Sequence, residues 1–444
     1  MPKLFEANAN PEKRFFVSLL TRDISLIDAV IDLTDNSVNA AMKASNNNLR
    51  TSKDFQRLVL HKTAKPSIHI DVTISEKKIS IKDNAGGIDF EAAKNDIFRF
   101  GHPDDSLATK DRLSVYGIGM KRAVFKIGNK IKITSDHTLG GFGLDLDVQS
   151  WVNNQAPPPW HFDIAKRPAV GKTKCGTEID VTEIHEDVRR RISDGRFIES
   201  LVDKLSAVYA YFIGRIVSIS VNGRTVDATS FDVGENNSVD SFTFGNTTYS
   251  IIAGIAQSKG SSFKDASAGW FVFCNGRTVI YADKTKLTGW GAELPIFQPK
   301  HRPFMGLVFF VSQDPEDLPW TTTKGSINED SLLWQEAKRH MIVLGRTVTA
   351  FLDKRYSESG TTVDREEMSR LSGPATDAFS AANSAKKAFK APAKRGPKEL
   401  RIQYDAKETD IERIRKHLSK PSLSGSEVGR YTFNYFLDNE VGSK

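Results

Sequence analysis

Residues 31–42, Ile31-Asp32-Leu33-Thr34-Asp35-Asn36-Ser37-Val38-Asn39-Ala40-Ala41-Met42, decide how the chain is read. Wound as a helix, the stretch puts Asp32, Asn36 and Asn39 on one face, with Asp35 close to it. Leu33, Val38 and Ala41 lie mostly elsewhere and can pack against a sheet. A carboxylate and two amides aimed at one point are costly to bury with nothing to bind. An acid and an amide one helical turn apart can orient a water and hold a hydrated Mg²⁺ through oxygen ligands. A solvated polar helix face would carry the same letters, so the choice falls to the motifs downstream.

The chain around this helix has 444 residues. At roughly 150 residues per domain that suggests two or three domains with ample core. No window approaches ~18 uninterrupted apolar residues, so no membrane span is expected. The opening MPKLFEANANPEKR lacks a hydrophobic signal core, and Cys175 and Cys274 stand far apart in strand-like settings. Both features point to a cytoplasmic protein with reduced core thiols rather than a disulfide or metal pair. The net charge of +7 permits contact with nucleic acid without arguing for it.

Downstream of the helix, SIHIDVTI and KISIK alternate apolar and polar residues and read as antiparallel strands with a turn at 75–77. The second runs into Asp83-Asn84-Ala85-Gly86-Gly87-Ile88. A strand-end Asp beside small backbone can accept a hydrogen bond from an exocyclic amine such as that of adenine; a plain turn reads the same way. FEAAKNDIFRFG is helix-like. It is followed by HPDDS and then by VYGIGMKRAVFKIG, where Gly117 and Gly119 precede an amphipathic segment with Lys121 at its start. Glycines before a helix N-terminus free backbone N–H groups for phosphate, and a lysine adds charge. The spacing is not that of a P-loop, nor of a dinucleotide fingerprint. Strands resume at KIKITSD, GFGLDLDV and GTEIDVTEI, with Thr177 opening the last, where its hydroxyl can bond Asp83 or a nearby water.

DLTDNSVNA, DNAGG, YGIGMK and CGTEID, in that order and spacing, resemble the GHKL ATPases: gyrase B subunits, large heat-shock chaperones, histidine kinases and MutL. FRFGHPDDS with VYGIGMKRAVFKIG is most similar to the MORC and MutL branch. The resemblance covers about residues 15–185. It implies that Asp32 activates water, Asn36 holds Mg²⁺ bridging the phosphates of ATP, and Asp83 reads the adenine amino group with support from Thr177. A lid over Gly101 to Lys121, including Ser106, Tyr116, Gly117, Ile118, Gly119 and Met120, would cover the phosphates, and Asn39, Ala40, Gly87 and Ile88 would complete the site. Three departures stand out: Asp32 replaces the usual Glu, Asn39 the usual Asp, and Ala85 a common Gly. A base one methylene shorter can miss its water by about 1 Å, worth roughly 10²-fold in rate. Nucleotide binding is therefore expected more firmly than fast turnover.

The second half offers a helix, RFIESLVDKLSAVYAYFIG, an Asn-Gly hairpin at 222–223, and strands YSIIAGIAQ, GWFVFCNGRTVIY and GLVFFVSQD. A mixed sheet with helices across one face fits. It resembles the transducer domain of MutL and MORC proteins, which returns a lysine to the γ-phosphate. Lys324, in LPWTTTKGSINED, is the best match, ahead of Lys284, Lys286 and Lys300; an ordinary loop lysine is the plainer reading. Residues 357–397 read as a partly helical linker whose basic run, Lys386 to Lys398, can meet nucleic-acid phosphates or simply be solvated. The last stretch regains apolar periodicity but is short for a large core.

The expected architecture is therefore α+β. A GHKL-type α/β sandwich spans 1–190, a transducer-like βαβ domain 191–356, the linker 357–397 and a small helical module 398–444. The expected function is a slow Mg·ATP-dependent switch that closes as a homodimer. It would act on duplex DNA or a partner nuclease in bacterial DNA metabolism or defence, with the C-terminal module free to meet a partner protein. The competing expectation is a nucleotide-binding scaffold with little hydrolysis. A sensor kinase fits less well, because no phosphoacceptor-histidine helix precedes the motifs, and a chaperone lacks its long client-binding region.

Overall fold

Ile68, Ile70, Val72 and Ile74 turn inward from strand β1 (Ile68–Ile74) while the residues between them face solvent, the period-two pattern of a strand packed on one face. A computed structural model describes residues 12–44, 66–99, 113, 117–154, 160–257, 268–359, 372–391, 402 and 404–442. β1 pairs antiparallel with β2 (Lys78–Asp83), as the alternation predicts. They sit within an eight-stranded sheet completed by β3 (Gly128–Asp136), β4 (Phe142–Asp147), β5 (Ile164–Lys166), β6 (Gly176–Ile184), β7 (Val217–Val221) and β8 (Arg224–Thr225). Its order is β5-β4-β3-β6-β2-β1-β7-β8.

Helices α1 (Lys13–Arg22), α2 (Leu26–Ala44), α3 (Gly119–Ile127) and α4 (Val148–Asn153) accompany this sheet. α2 and α3 pack on each other and on the strands, and α1 packs on α3. Ser25 starts α2: its hydroxyl oxygen accepts from the Asp28 backbone N–H at 3.1 Å, and its proton goes to the Asp28 carboxylate at 2.7 Å. Ala29, Val30, Leu33, Val38 and Ala41 are wholly buried, and Asp32, Asp35 and Asn39 are at most 4 % exposed. Burial of the polar stripe as well as the apolar one removes the solvated-face reading of this helix.

The boundary expected at residue 190 moves. α5 (Glu186–Ile192) and α6 (Phe197–Val208) are followed by β7, which lies parallel beside β1, so the first sheet runs on to Thr225. The hairpin joining β7 to β8 turns at Asn222 and Gly223, both at positive φ, as an Asn-Gly pair favours.

The second sheet holds β9 (Asp232–Phe244), β10 (Thr247–Ala256), β11 (Gly269–Cys274), β12 (Arg277–Asp283), β13 (Phe304–Val311) and β14 (Ala375–Asp377), in the order β12-β11-β13-β10-β9-β14. β11 is buried throughout, which requires cover on both faces. Phe310 turns to Trp334 of α7 (Leu332–Ser359), ring centroids 6.4 Å apart. Its neighbour Phe309 turns the other way, to Phe379 of α8 (Ala378–Ala381) at 5.3 Å. Helices thus cover both faces, not the one expected. The second correction concerns the linker: its 372–391 portion adds β14 to the sheet edge and buries Phe379 and Phe389. Lys386 of the basic run pairs with Asp240 at 2.5 Å; residues 392–398 of that run lie outside the described residues.

Residues 394–444 form a separate compact unit. In it α9 (Glu408–His417) and α10 (Gly425–Phe436) are helical, α10 starting from a Ser424–Glu427 capping box.

Candidate functional site

β2 ends where β6 begins, so Asp83 stands opposite Thr177. The Asp83 carboxylate is 9 % exposed; Oδ2 accepts from Ser37 Oγ at 2.6 Å and Oδ1 from the Ala85 N–H at 2.9 Å. Burial pushes this carboxyl above its ordinary range, against the opposing pull of Ser37 and the Ala85 and Thr177 backbone groups. The Thr177 hydroxyl pairs with Ser135 Oγ at 3.1 Å rather than with Asp83, and Ser135 Oγ also accepts from the Ile88 N–H at 2.7 Å. Gly87 has φ +69°, and a Cβ there would stand 2.0 Å from the Asp136 carbonyl oxygen, so glycine alone lets the turn close against β3. A shielded carboxylate, with hydroxyls and backbone around it, can receive the amino group of a flat base.

One turn and more toward the start of α2, Asp32 meets Arg122 of α3. The guanidinium donates to Oδ2 through Nε at 2.7 Å, and a terminal nitrogen stands 2.6 Å from the same oxygen as an ion pair. Burial raises the Asp32 carboxyl; the Arg122 bond and the charges of Lys324 and Arg122 oppose it. A Cβ on Gly119 would touch the Asp32 carboxyl carbon at 3.7 Å, so the first residue of α3 abuts the acid; Gly117 and Ile118 lead into it and Met120 follows. Lys121, expected on phosphate, instead donates to the carbonyls of Arg99 and Gly117, and burial brings its amine down to about 8. Asn39 Oδ1 accepts from the Leu113 N–H at 3.0 Å, within the stretch expected to form a lid. The Nδ2 groups of Asn36 and Asn39 are buried without a hydrogen-bond partner among the described residues. Ala40 is half-buried beside them. Gly101, Ser106 and Tyr116 lie outside the described residues.

Asp35 is the meeting point with the second sheet. Its Oδ1 accepts from Tyr209 Oη at 2.7 Å and Arg277 Nε at 2.9 Å, and its Oδ2 from Lys324 Nζ at 2.8 Å. Arg277 also donates to the Lys324 carbonyl at 2.7 Å. Burial works to raise the Asp35 carboxyl, but the attraction of Arg277 and Lys324 outweighs it and holds the group below its ordinary range. Of the four lysines considered, Lys324 is the one placed on α2; Lys300 pairs with Asp353 at 2.8 Å, and Lys284 donates to the Ala282 carbonyl at 3.1 Å. Among the described residues, the cations Arg122, Arg277 and Lys324 face the two carboxylates Asp32 and Asp35, one positive charge more than negative.

Reading the sequence missed Arg122, Arg277, Tyr209 and Ser37. GWFVFCNGRTVIY, read as a strand, breaks at an Asn-Gly turn, and the arginine directly after that pair is the one that reaches Asp35. α2 alone gathers the parts, presenting Asp32, Asp35, Asn36, Ser37 and Asn39 in sequence. No group of three or more His, Cys, Asp or Glu side chains suited to a metal ion occurs among the described residues. No described helix is long and apolar enough to cross a membrane.

Residues 24–177 match the family model of histidine kinase-, DNA gyrase B-, and HSP90-like ATPases. The matched span contains Asp32, Asn36, Asp83 and the start of α3, ends at Thr177, and supports ATP binding by a GHKL ATPase-like domain. It stops short of Tyr209, Arg277 and Lys324. No curated protein matches the chain.

Proposed function

We propose that the chain is a Mg·ATP-dependent switch that binds ATP, hydrolyses it slowly and couples the nucleotide to its second sheet through Lys324. The carrying observation is the buried cluster in which Lys324 and Arg277, from the second sheet and its loops, converge on Asp35 of α2, with one cation in excess among the described residues. Uncompensated positive charge in a low-dielectric interior favours an anion. The unpaired Nδ2 groups of Asn36 and Asn39 point the same way, since a buried donor left unmade costs about 1–3 kcal/mol. A polyphosphate supplies both the charge and the acceptors.

Asn36 also fits Mg²⁺. Its amide oxygen is the kind of single protein ligand that this ion combines with phosphates and water, and when bound the ion neutralises phosphate charge. Asp32 lends Oδ2 to Arg122, leaving Oδ1 to orient a water. Asp83 takes the adenine amino group, and the start of α3 at Gly119, beside Asp32, faces the phosphates. In this reading two copies close on ATP and reopen after hydrolysis. The closed dimer engages duplex DNA or a partner nuclease, in the manner of the MORC and MutL branch.

Steady-state ATP hydrolysis with Mg²⁺, for wild type and Asp32→Asn, with and without duplex DNA, tests this. Slow wild-type turnover and a silent variant are expected, and stimulation by DNA supports the clamp. A second reading, a nucleotide-binding scaffold, is favoured by the Arg122 pair that already occupies Asp32. Thermal stabilisation by ATP, with turnover at background in both proteins, would decide for it.

A further inference from the structure

Lys324 is held so that its side chain can leave while its backbone stays. The residue adopts φ +52° in a tight turn closed by its N–H on the Thr321 carbonyl at 2.8 Å, and Arg277 grips its own carbonyl at 2.7 Å. The flexible stem beyond Cα is what reaches Asp35. Should the amine depart, Asp35 keeps Arg277 on Oδ1 at 2.9 Å and Tyr209 at 2.7 Å, a neutral and still hydrogen-bonded pair. Departure of Arg277 would instead break its bond to the Lys324 backbone. Lys324 is therefore the cation freer to leave: its departure leaves Asp35 paired with Arg277 and breaks no backbone contact. Asp35 adjoins Asn36 in sequence and lies on the helix that carries Asp32, where the charge of Lys324 is already felt.

We infer that Asp35 is a positioning residue for Lys324: it holds the lysine on α2 at rest, and the terminal phosphate of a nucleoside triphosphate must take the lysine from it. Asp35 thereby sets how strongly the site prefers the triphosphate over the diphosphate. The inference rests on the nucleotide reading above and deepens it. Because the diphosphate lacks the group that competes for Lys324, the ratio of the two affinities isolates the exchange from adenine and lid contacts.

The test is calorimetric binding of ATP and ADP with Mg²⁺ to wild type, Asp35→Asn, Lys324→Met and the double variant, at a temperature where turnover is negligible. Lys324→Met is expected to lose about tenfold or more of the preference for ATP, the worth of one charge-assisted hydrogen bond. Asp35→Asn is expected to raise the preference severalfold, and to have no effect in the Lys324→Met background. The ratio is taken within each variant, so a loss of folded fraction cancels. Should Asp35→Asn alone fail to fold, Tyr209→Phe gives a second arm. Removing the phenol donor leaves Asp35 a stronger acceptor for the lysine, and the preference should fall only when Lys324 is present. An unchanged or lower preference in Asp35→Asn, or a rise that persists without Lys324, overturns the inference. Equal, tight binding of both nucleotides by wild type overturns it while sparing the nucleotide site; failure of wild type to bind either overturns the nucleotide reading itself.

Discussion

Arg122 places two nitrogens on one oxygen of Asp32, at 2.7 and 2.6 Å, and the consequences for a general base can be worked out in sign. Burial raises the carboxyl and the Arg122 bond is the largest opposing influence, so removing the arginine raises it further. A base must be ionised, and turnover is lost as pH falls through its pKa. Arg122→Met should therefore move the acid limb of the kcat–pH profile to higher pH. The rate at neutral pH should fall, and part of the loss should return in alkaline buffer. Thermal stabilisation by ATP should survive the change, since Asn36 and Asp83 are untouched. Coincident acid limbs in the two proteins would mean that Asp32 is not the titrating base. The same pair explains why Asp32 was legible in the sequence and Arg122 was not. Asp32 announces itself by its spacing to Asn36, whereas Arg122 is one more cation after Lys121 until α3 folds against α2.

Two Asn-Gly turns behave as local signals should, because positive φ at both residues is a property of the dipeptide. The second, Asn275-Gly276 at φ 47° and 83°, does more than reverse the chain. Asn275 Oδ1 accepts from the Ser312 N–H at 3.0 Å, and the turn delivers Arg277 to Asp35 at the start of β12. A Cβ on Gly276 would meet Tyr211 and Phe212 ring carbons at 2.8 Å. Both rings are buried, and they have nowhere to yield. Gly276→Ala combines backbone strain with overpacking and should destabilise by about 2–4 kcal/mol, read from the urea midpoint; a change under about 0.5 kcal/mol would show that the turn relaxes. α2, the β1–β2 hairpin and the strand ending in Asp83 were legible for the same reason, each being written in neighbouring residues. The pairing of β7 with β1 and of β14 with β9 was not, because strand partners far apart in sequence leave no periodic trace. The boundary at 190 and the linker at 357–397 were misread on that account.

Across residues 12–391 the two sheets share a seam rather than a hinge of bare chain. α6 packs against β12 and α2, Thr278 Oγ1 donates to the Ala207 carbonyl at 2.7 Å, and Asp35 is bound to Arg277 and Lys324. Phe379 carries the packing on the far side. Its ring meets Tyr211, Phe231, Phe273 and Phe309 at centroid distances of 5.2, 5.6, 5.4 and 5.3 Å. Tyr211 lies two residues after Tyr209, whose phenol is held against Asp35. Phe379→Ala removes a buried ring from this junction and should cost about 3–5 kcal/mol. The loss should be felt in both sheets. If the seam makes one cooperative unit, native-state hydrogen exchange of the amides in β6 and in β13 should accelerate together and by the same factor. Acceleration in β13 with β6 protection intact would separate the sheets energetically, and Lys324 would then report the state of the second sheet to α2 through its own contacts alone rather than through a shared core.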